Sequence, residues 1–352
     1  MKRERFKVRR VFIFGAGASH GATAGRSTVD RIAPLDRDFC NRIDGLNIQR
    51  PQWVNEARDY VLKEWRDHSK FSDQGLEYAI QIQISHLEFI DAIHPRRRRS
   101  SVDPKTYLNQ LSHLICFVLR KCREKNGGPY QRIINNVVGS AKDASNVQDR
   151  FITFNYDDLI DIQLLKKFNV AEVYFDNLKR SKTESKKRSL KFDDPLLIKL
   201  HGSINWRCSQ TDFENLIGAL SNSSGSFEIP KVWYAKSGTP TPKEDSSPLI
   251  MPPLPIKPIT HIKLFCFLWT KAYEYLHEAE ELIICGYSLP EADRLAQSLF
   301  SGFTNQKVKK ITVVDPNPAI LSKWRNLLRR KNVNSKCEWI YYENVDEFAG
   351  RL

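Results

Sequence analysis

The sequence predicts an α/β fold: a parallel sheet covered on both faces by helices, with a large helical insertion after the first strand. Three observations predict it. Short runs rich in β-branched and aromatic residues recur at 8–14, 150–154, 196–201, 281–285, 310–315 and 338–342. Most of them alternate with stretches at 158–168, 261–279, 290–303 and 318–331 whose apolar residues fall at helical spacing. Short apolar strands alternating with helices are the pattern of a parallel sheet whose two faces are both covered. Finally, the block from about 52 to 143 carries helical periodicity and almost no strand signal.

In chain order, VRRVFIF at 8–14 is a strand that stops at Gly15, and a glycine-, alanine- and serine-rich stretch follows to residue 28. Helices are expected near 52–69, 75–94, 103–126 and 129–142; in the third, Leu108, Leu111, Ile115, Val118 and Leu119 recur at short helical intervals. Pro95, Pro104 and Pro129 mark boundaries between them. The expected organisation is a discontinuous core of residues 1–50 and 145–352, with 51–144 as an inserted helical subdomain. Its apolar residues, among them Trp53, Trp65, Leu87, Phe89 and Leu114, either pack subunits together or cover the sheet. Residues 179–191 (KRSKTESKKRSLK) and the Ser-, Pro- and Gly-rich stretch 221–258 read as poorly ordered loops. Arg96 to Arg99 form a further basic cluster.

The 352 residues suit two to three average domains, or one domain with a large insertion. Hydrophobic residues make up 41%, enough for a sizeable core, which excludes collagen-like, coiled-coil and wholly disordered chains. No run approaches the ~18 apolar residues of a membrane span. The basic start MKRERFKVRR leads into a strand rather than a signal sequence, so a soluble, cytoplasmic protein is expected. Lys and Arg number 55 against 41 Asp and Glu, a net charge of +14. That excess favours anionic partners (nucleotides, nucleic acid or acidic proteins), or serves as a solubilising surface. The seven cysteines include no CxxC, which excludes a four-cysteine zinc ribbon and suits a reducing compartment.

Five motifs follow strands. Gly15-Ala16-Gly17-Ala18-Ser19 lies where glycines let backbone N–H groups approach a pyrophosphate at a helix N-terminus. The same glycines would also serve a simple tight turn. Asn155 and Asp157, in TFNYDD, could hold ribose hydroxyls or a water, or cap the next helix. His201, in KLHGSINW, could take a proton near neutrality, or pack at a strand end. Gly286 and Ser288, in CGYSLPEAD, offer close backbone approach and a hydroxyl, or a plain strand–helix turn. Asp315, in VVDPNP, could accept from ribose hydroxyls, and Asp before Pro is also turn chemistry. Their shared position after strands places all five on one edge of one sheet, where a nucleotide would lie.

Together these motifs resemble the sirtuin superfamily of NAD-consuming enzymes. GAGAS at 15–19 is similar to its GAGxS turn, TFNYD at 153–157 to its TQNID block, LHG at 200–202 to its catalytic HG, and CGYSL at 285–289 to its GTSL. The likeness covers the Rossmann-like core, about half the chain. It departs from the deacylating branch in lacking the four-cysteine zinc module, with only Cys208 and Cys266 between the HG-like and GTSL-like motifs. The GIPDFR segment is also missing, echoed faintly by Pro34 to Phe39. TFNYDDLID and HGSINW look instead like the sirtuin-like domains of bacterial antiphage systems, which hydrolyse NAD to nicotinamide and ADP-ribose products.

The resemblance implies NAD as substrate and no metal. It implies Asn155 orienting the nicotinamide ribose and a water, His201 as general base, and Asp157 holding the ribose or orienting Asn155. Gly15, Ala16, Gly17 and Ser19 would cradle the pyrophosphate, with Gly286, Ser288 and Asp315 on the adenosine half. A homo-oligomer is expected, with a separately encoded partner such as a translocase-type ATPase or another phage sensor, and no membrane association. Three other readings stand: NAD-dependent protein deacylation or ADP-ribosyl transfer, a basic nucleic-acid-binding or nuclease subunit, and a catalytically dead nucleotide sensor that binds NAD or ADP-ribose without cleaving it. The NADase reading requires that Asn155 and His201 meet across one crevice.

Overall fold

A computed structural model describes residues 8–46, 51–66, 76, 104–175, 178, 194–221, 232–235, 246–251, 262–291, 293–328 and 333–352. The position of the first strand decides the architecture. Arg10–Phe14 (β1) reads RVFIF and is buried from its second residue on, as a strand covered on both faces must be. It pairs in parallel with Arg150–Thr153 (β2) on one side and, across the numbering gap, with Glu281–Cys285 (β7) on the other. Leu197–Lys199 (β3) extends the sheet beyond β2, and Lys310–Val314 (β8) and Glu338–Tyr342 (β9) extend it beyond β7.

The result is a six-stranded, all-parallel, Rossmann-like sheet in the order β3-β2-β1-β7-β8-β9, flanked by helices. The chain starts at the middle, winds outward through β2 and β3, then resumes at β7 and winds outward the other way. The reversal falls between β1 and β7. In such sheets the crevice outside the carboxyl ends of the two reversing strands is where ligands bind. The strand ends there are Phe14 and Cys285, which are paired in register.

A second sheet corrects the sequence reading. Gly202–Ser209 (β4), Trp233–Tyr234 (β5) and Ser246–Ile250 (β6) form an antiparallel sheet in the order β5-β4-β6. The stretch 221–258 therefore holds two strands where loop was expected. β4 buries Ser203, Asn205 and Arg207 among its apolar residues, so it shows neither an apolar run nor a polar face. β6 carries Pro248, which an edge strand tolerates because one side of its backbone needs no partner.

The helix Pro104–Leu119 lies against this small sheet. The Arg120 guanidinium just beyond it donates to Ile204 O at 3.2 Å, and Ser247 Oγ meets Asn109 Oδ1 at 3.3 Å. Leu114 is fully buried, and Trp53 sits edge-on to His113 and Phe117. Val54, Leu111 and Ile115 of the insertion belong to the same continuous core as Phe12 and Ile283 of the large sheet. The Trp65 side chain, Leu87, Phe89, the 75–94 segment apart from Leu76, and the basic clusters at 96–99 and 179–191 lie outside the described residues.

Several helices begin or end away from their expected limits: Pro104–Leu119 stops seven residues before 126 and Pro129–Val138 four before 142. Leu159–Leu164 stops early, and a separate turn, Val170–Val173, starts at Asn169, which forms a capping box with Glu172. Arg294–Ser301 begins four residues later than Pro290 suggested, because Asp293 is the residue that caps it. No described helix is long and apolar enough to cross a membrane.

Candidate active site

The turns after β1 and β7 are in direct backbone contact. Gly15 N donates to Cys285 O at 3.0 Å, Gly17 N to Gly286 O at 2.9 Å, and Gly286 N to Val314 O at 2.8 Å. Gly286 has φ +56, and a Cβ added there would sit 2.0 Å from Ala18 N. A Cβ on Gly15 would sit 2.5 Å from Gly286 O. These glycines thus allow one turn to pack on the other, and Gly17 and Gly286 also line the cavity above them. Gly15 is buried behind the turn. Ala16 is exposed at the first position of the helix Ala16–Thr23, where a backbone N–H has no intrahelical partner.

A cavity of about 700 Å³ opens over these turns, within the size range of small-molecule sites. Ala16, Gly17, Ser19, Asn155, Asp157, His201, Gly286, Ser288 and Asp315 all line it. Of the sequence-derived site residues, only Gly15 stands behind the wall. Asn155 and His201, 46 positions apart in sequence, share this one crevice.

Asn155 follows β2 and is almost fully buried. Its Nδ2 donates to Gly15 O at 2.8 Å and to Ser19 Oγ at 2.9 Å. With both amide hydrogens engaged, the carboxamide offers its Oδ1 as an acceptor, suited to a hydroxyl or a water. The Ser19 hydroxyl also bonds with Tyr130 OH at 3.0 Å and with the Asp157 carboxyl. Ser19 is therefore a buried hub in the cavity wall that ties the first turn to Tyr130, Asn155 and Asp157. Through it, Asp157 is tied to Asn155.

Asp157 is buried at the cavity wall, and burial pushes its carboxyl up, opposed by the Lys199 ammonium. Lys199 Nζ donates to Asp157 O at 2.5 Å and pairs with Asp161 at 2.9 Å, both ends of that pair being wholly buried. Tyr174 OH donates to the same Asp161. Next to it, burial raises Asp158 to about 6 despite Arg123 at 3.2 Å. This network fixes the 154–158 loop from below.

His201 sits in the turn between β3 and β4, and Met251 N donates to its carbonyl at 2.8 Å. Gly202 follows with φ +78, and a Cβ there would lie 2.3 Å from Leu249 O. The imidazole is walled by Phe154, Tyr156 and Trp269. Its Nε2 lies 3.2 Å from Asp293 Oδ2. Phe154 stacks on Tyr287 with centroids 4.0 Å apart, joining the ends of β2 and β7 under the cavity.

At the opposite end, Ser288 is exposed at the rim, and its carbonyl and that of Leu289 accept from Lys323 Nζ. Asp315 Oδ1 accepts from Asn317 N at 2.9 Å, and burial raises its carboxyl. Glu343 and Asn344, just past β9, complete this wall. No protein-family model matches the chain, and no curated protein matches it either. Among the described residues no group of three His, Cys, Asp or Glu side chains could hold a metal ion.

Sequence reasoning missed Asp293, Tyr287, Tyr130 and Glu343. Asp293 stood within a quoted motif, and its residue type signalled a helix cap but nothing about a histidine far away in the chain. Tyr130 comes from the insertion, at the start of the helix Pro129–Val138, and no local pattern connects it to Ser19.

Proposed function

We propose that this chain is an NAD⁺ glycohydrolase. It cleaves the nicotinamide–ribose bond to release nicotinamide and ADP-ribose, and it serves to deplete NAD in antiphage defence. The observation that carries the reading is that Asn155 and His201 line one cavity at the reversal point of a Rossmann-like sheet, beside a glycine turn and a helix N-terminus. Helix N-termini at that position favour phosphate groups. The resemblance of the four motifs supplies the choice of NAD among nucleotides.

The chemistry asks little acid catalysis, since nicotinamide leaves uncharged when the pyridinium–ribose bond breaks. The site must hold the ribose, stabilise an oxocarbenium-like centre and deliver water to it. Asn155 Oδ1 accepts a hydrogen bond from that water or from a ribose hydroxyl. His201 receives the proton the water gives up as its oxygen bonds to the anomeric carbon. Asp157, held by Lys199 and linked through Ser19, keeps the Asn155 amide in place. Asp315 and Ser288 lie where the adenosine half would rest. A homo-oligomer and a separately encoded partner that triggers activity belong to the same proposal.

The test is nicotinamide release by the purified protein, with ADP-ribose binding by calorimetry and cellular NAD levels on expression. Asn155→Ala and His201→Ala should each lower turnover by a factor on the order of 10² or more. A protein that binds neither NAD nor ADP-ribose, or variants that keep full turnover, would overturn the reading.

A further inference from the structure

We infer that Asp293 is a positioning residue that fixes the tautomer of His201, an inference that rests on the hydrolase reading for its catalytic meaning. The two side chains are 4% and 2% exposed, and His201 Nε2 lies 3.2 Å from Asp293 Oδ2. Both line the cavity. A contact between two groups this well shielded from water is stronger than the same contact at a surface, and a lone buried carboxylate would be costly.

The carboxylate is itself held by two donors at the end of a tight turn. Its Oδ1 accepts from Ala296 N at 3.3 Å as the cap of the helix Arg294–Ser301. Tyr287 OH lies 3.4 Å from Oδ2, and that ring is clamped by its stack on Phe154. The left-handed Leu289, with φ 51, turns the chain between Tyr287 and Asp293. A helix start, a stacked ring and a tight turn therefore place one acceptor oxygen opposite Nε2.

An ionised carboxylate can only accept, so Nε2 must carry the hydrogen and Nδ1 becomes the basic nitrogen of the neutral ring. When that nitrogen takes a proton from water, the charge appears beside an existing negative partner. Asp293 thus stands behind His201 as an orienting carboxylate stands behind a general base elsewhere.

Asp293→Asn separates this role from the cap. Asparagine caps helices about as well as aspartate, yet its NH₂ can donate to Nε2 and favour the opposite tautomer. The experiment compares wild type and Asp293→Asn by ¹⁵N NMR of histidine-labelled protein, with His201→Gln identifying the His201 signals, alongside steady-state kinetics. The expected result is an exchange of protonated and unprotonated nitrogen signals for His201. With it, kcat should fall about 10²-fold or more, with KM for NAD changed less than about threefold and the unfolding midpoint close to wild type. Unchanged His201 nitrogen signals, or a kcat within threefold of wild type, overturns the inference. If the tautomer exchanges but wild type releases no nicotinamide and binds neither NAD nor ADP-ribose, the pairing stands and the hydrolase reading falls.

Discussion

Replacing Gly286 with alanine should pry apart the two turns on which the cavity rests. At φ +56 an L-residue carries roughly 1–2 kcal/mol of backbone strain. The new methyl would fall 2.0 Å from Ala18 N and 2.4 Å from Gly17 C, both backbone atoms that no rotamer change can move aside. Relieving that overlap shifts one turn against the other, and overpacking of this kind costs roughly 1–3 kcal/mol. The shift also strains the 2.9 Å bond from Gly17 N to Gly286 O, a further loss of about 1 kcal/mol. The sum is a destabilisation of about 3–6 kcal/mol, a large share of the ~5–15 kcal/mol typical of a native domain. Urea unfolding followed by tryptophan fluorescence measures it. Gly350→Ala serves as the control, since, outside its own helix backbone, the nearest atom to its methyl would be 3.7 Å away, at the end of an Arg132 side chain. An unfolding free energy for Gly286→Ala within 1 kcal/mol of wild type would refute the claim that these turns are in contact.

Two further outcomes are expected. Asp315 and Glu343 line the same end of the cavity, and a 2′-phosphate placed between carboxylates would suffer repulsion of several kcal/mol; NAD should be preferred to NADP in kcat/KM by about 10²-fold or more, and Asp315→Ala should narrow the gap. Equal use of both dinucleotides would put the adenosine ribose elsewhere. Burial raises Glu124 to about 7 from its ordinary 4.5, even though Tyr130 N and Gln131 N donate to it. The folded state therefore binds this proton more tightly than the unfolded chain, so the contribution is complete below about pH 4 and vanishes as pH rises through 7. Urea midpoints measured from pH 4.5 to 8 should decline less steeply in Glu124→Gln than in wild type, and identical slopes would exclude Glu124 as the source.

Five of the six strands of the large sheet were legible because they are buried almost throughout and so are written as short, mostly apolar runs; β9 (EWIYY), only half-buried at the sheet edge, was legible from its aromatic and β-branched residues. The small sheet was hidden for the opposite reason. Arg207 on β4 is 2% exposed, and a guanidinium can be enclosed only when distant parts of the fold surround it, which no window of sequence reveals. The site divides in the same way. Asn155, Asp157, His201 and Asp315 follow strands, so topology alone brings them to one edge. The partners that hold them, Tyr130 on Ser19 and Asp293 on His201, arrive from other elements across more than ninety intervening positions. Glycine chemistry was legible as a need for close approach, while the packing of one turn on the other was not legible, because the two turns are about 270 residues apart.

The central strand of the sheet has a consequence for synthesis. β1 leaves the ribosome first, yet its two neighbours begin at residues 150 and 281. At roughly 5–20 residues per second, RVFIF waits on the order of ten seconds for one edge to be satisfied and tens of seconds for the other. Through that interval the apolar RVFIF segment has no neighbouring strand to pair with, so the completion of the sheet waits on synthesis of most of the chain.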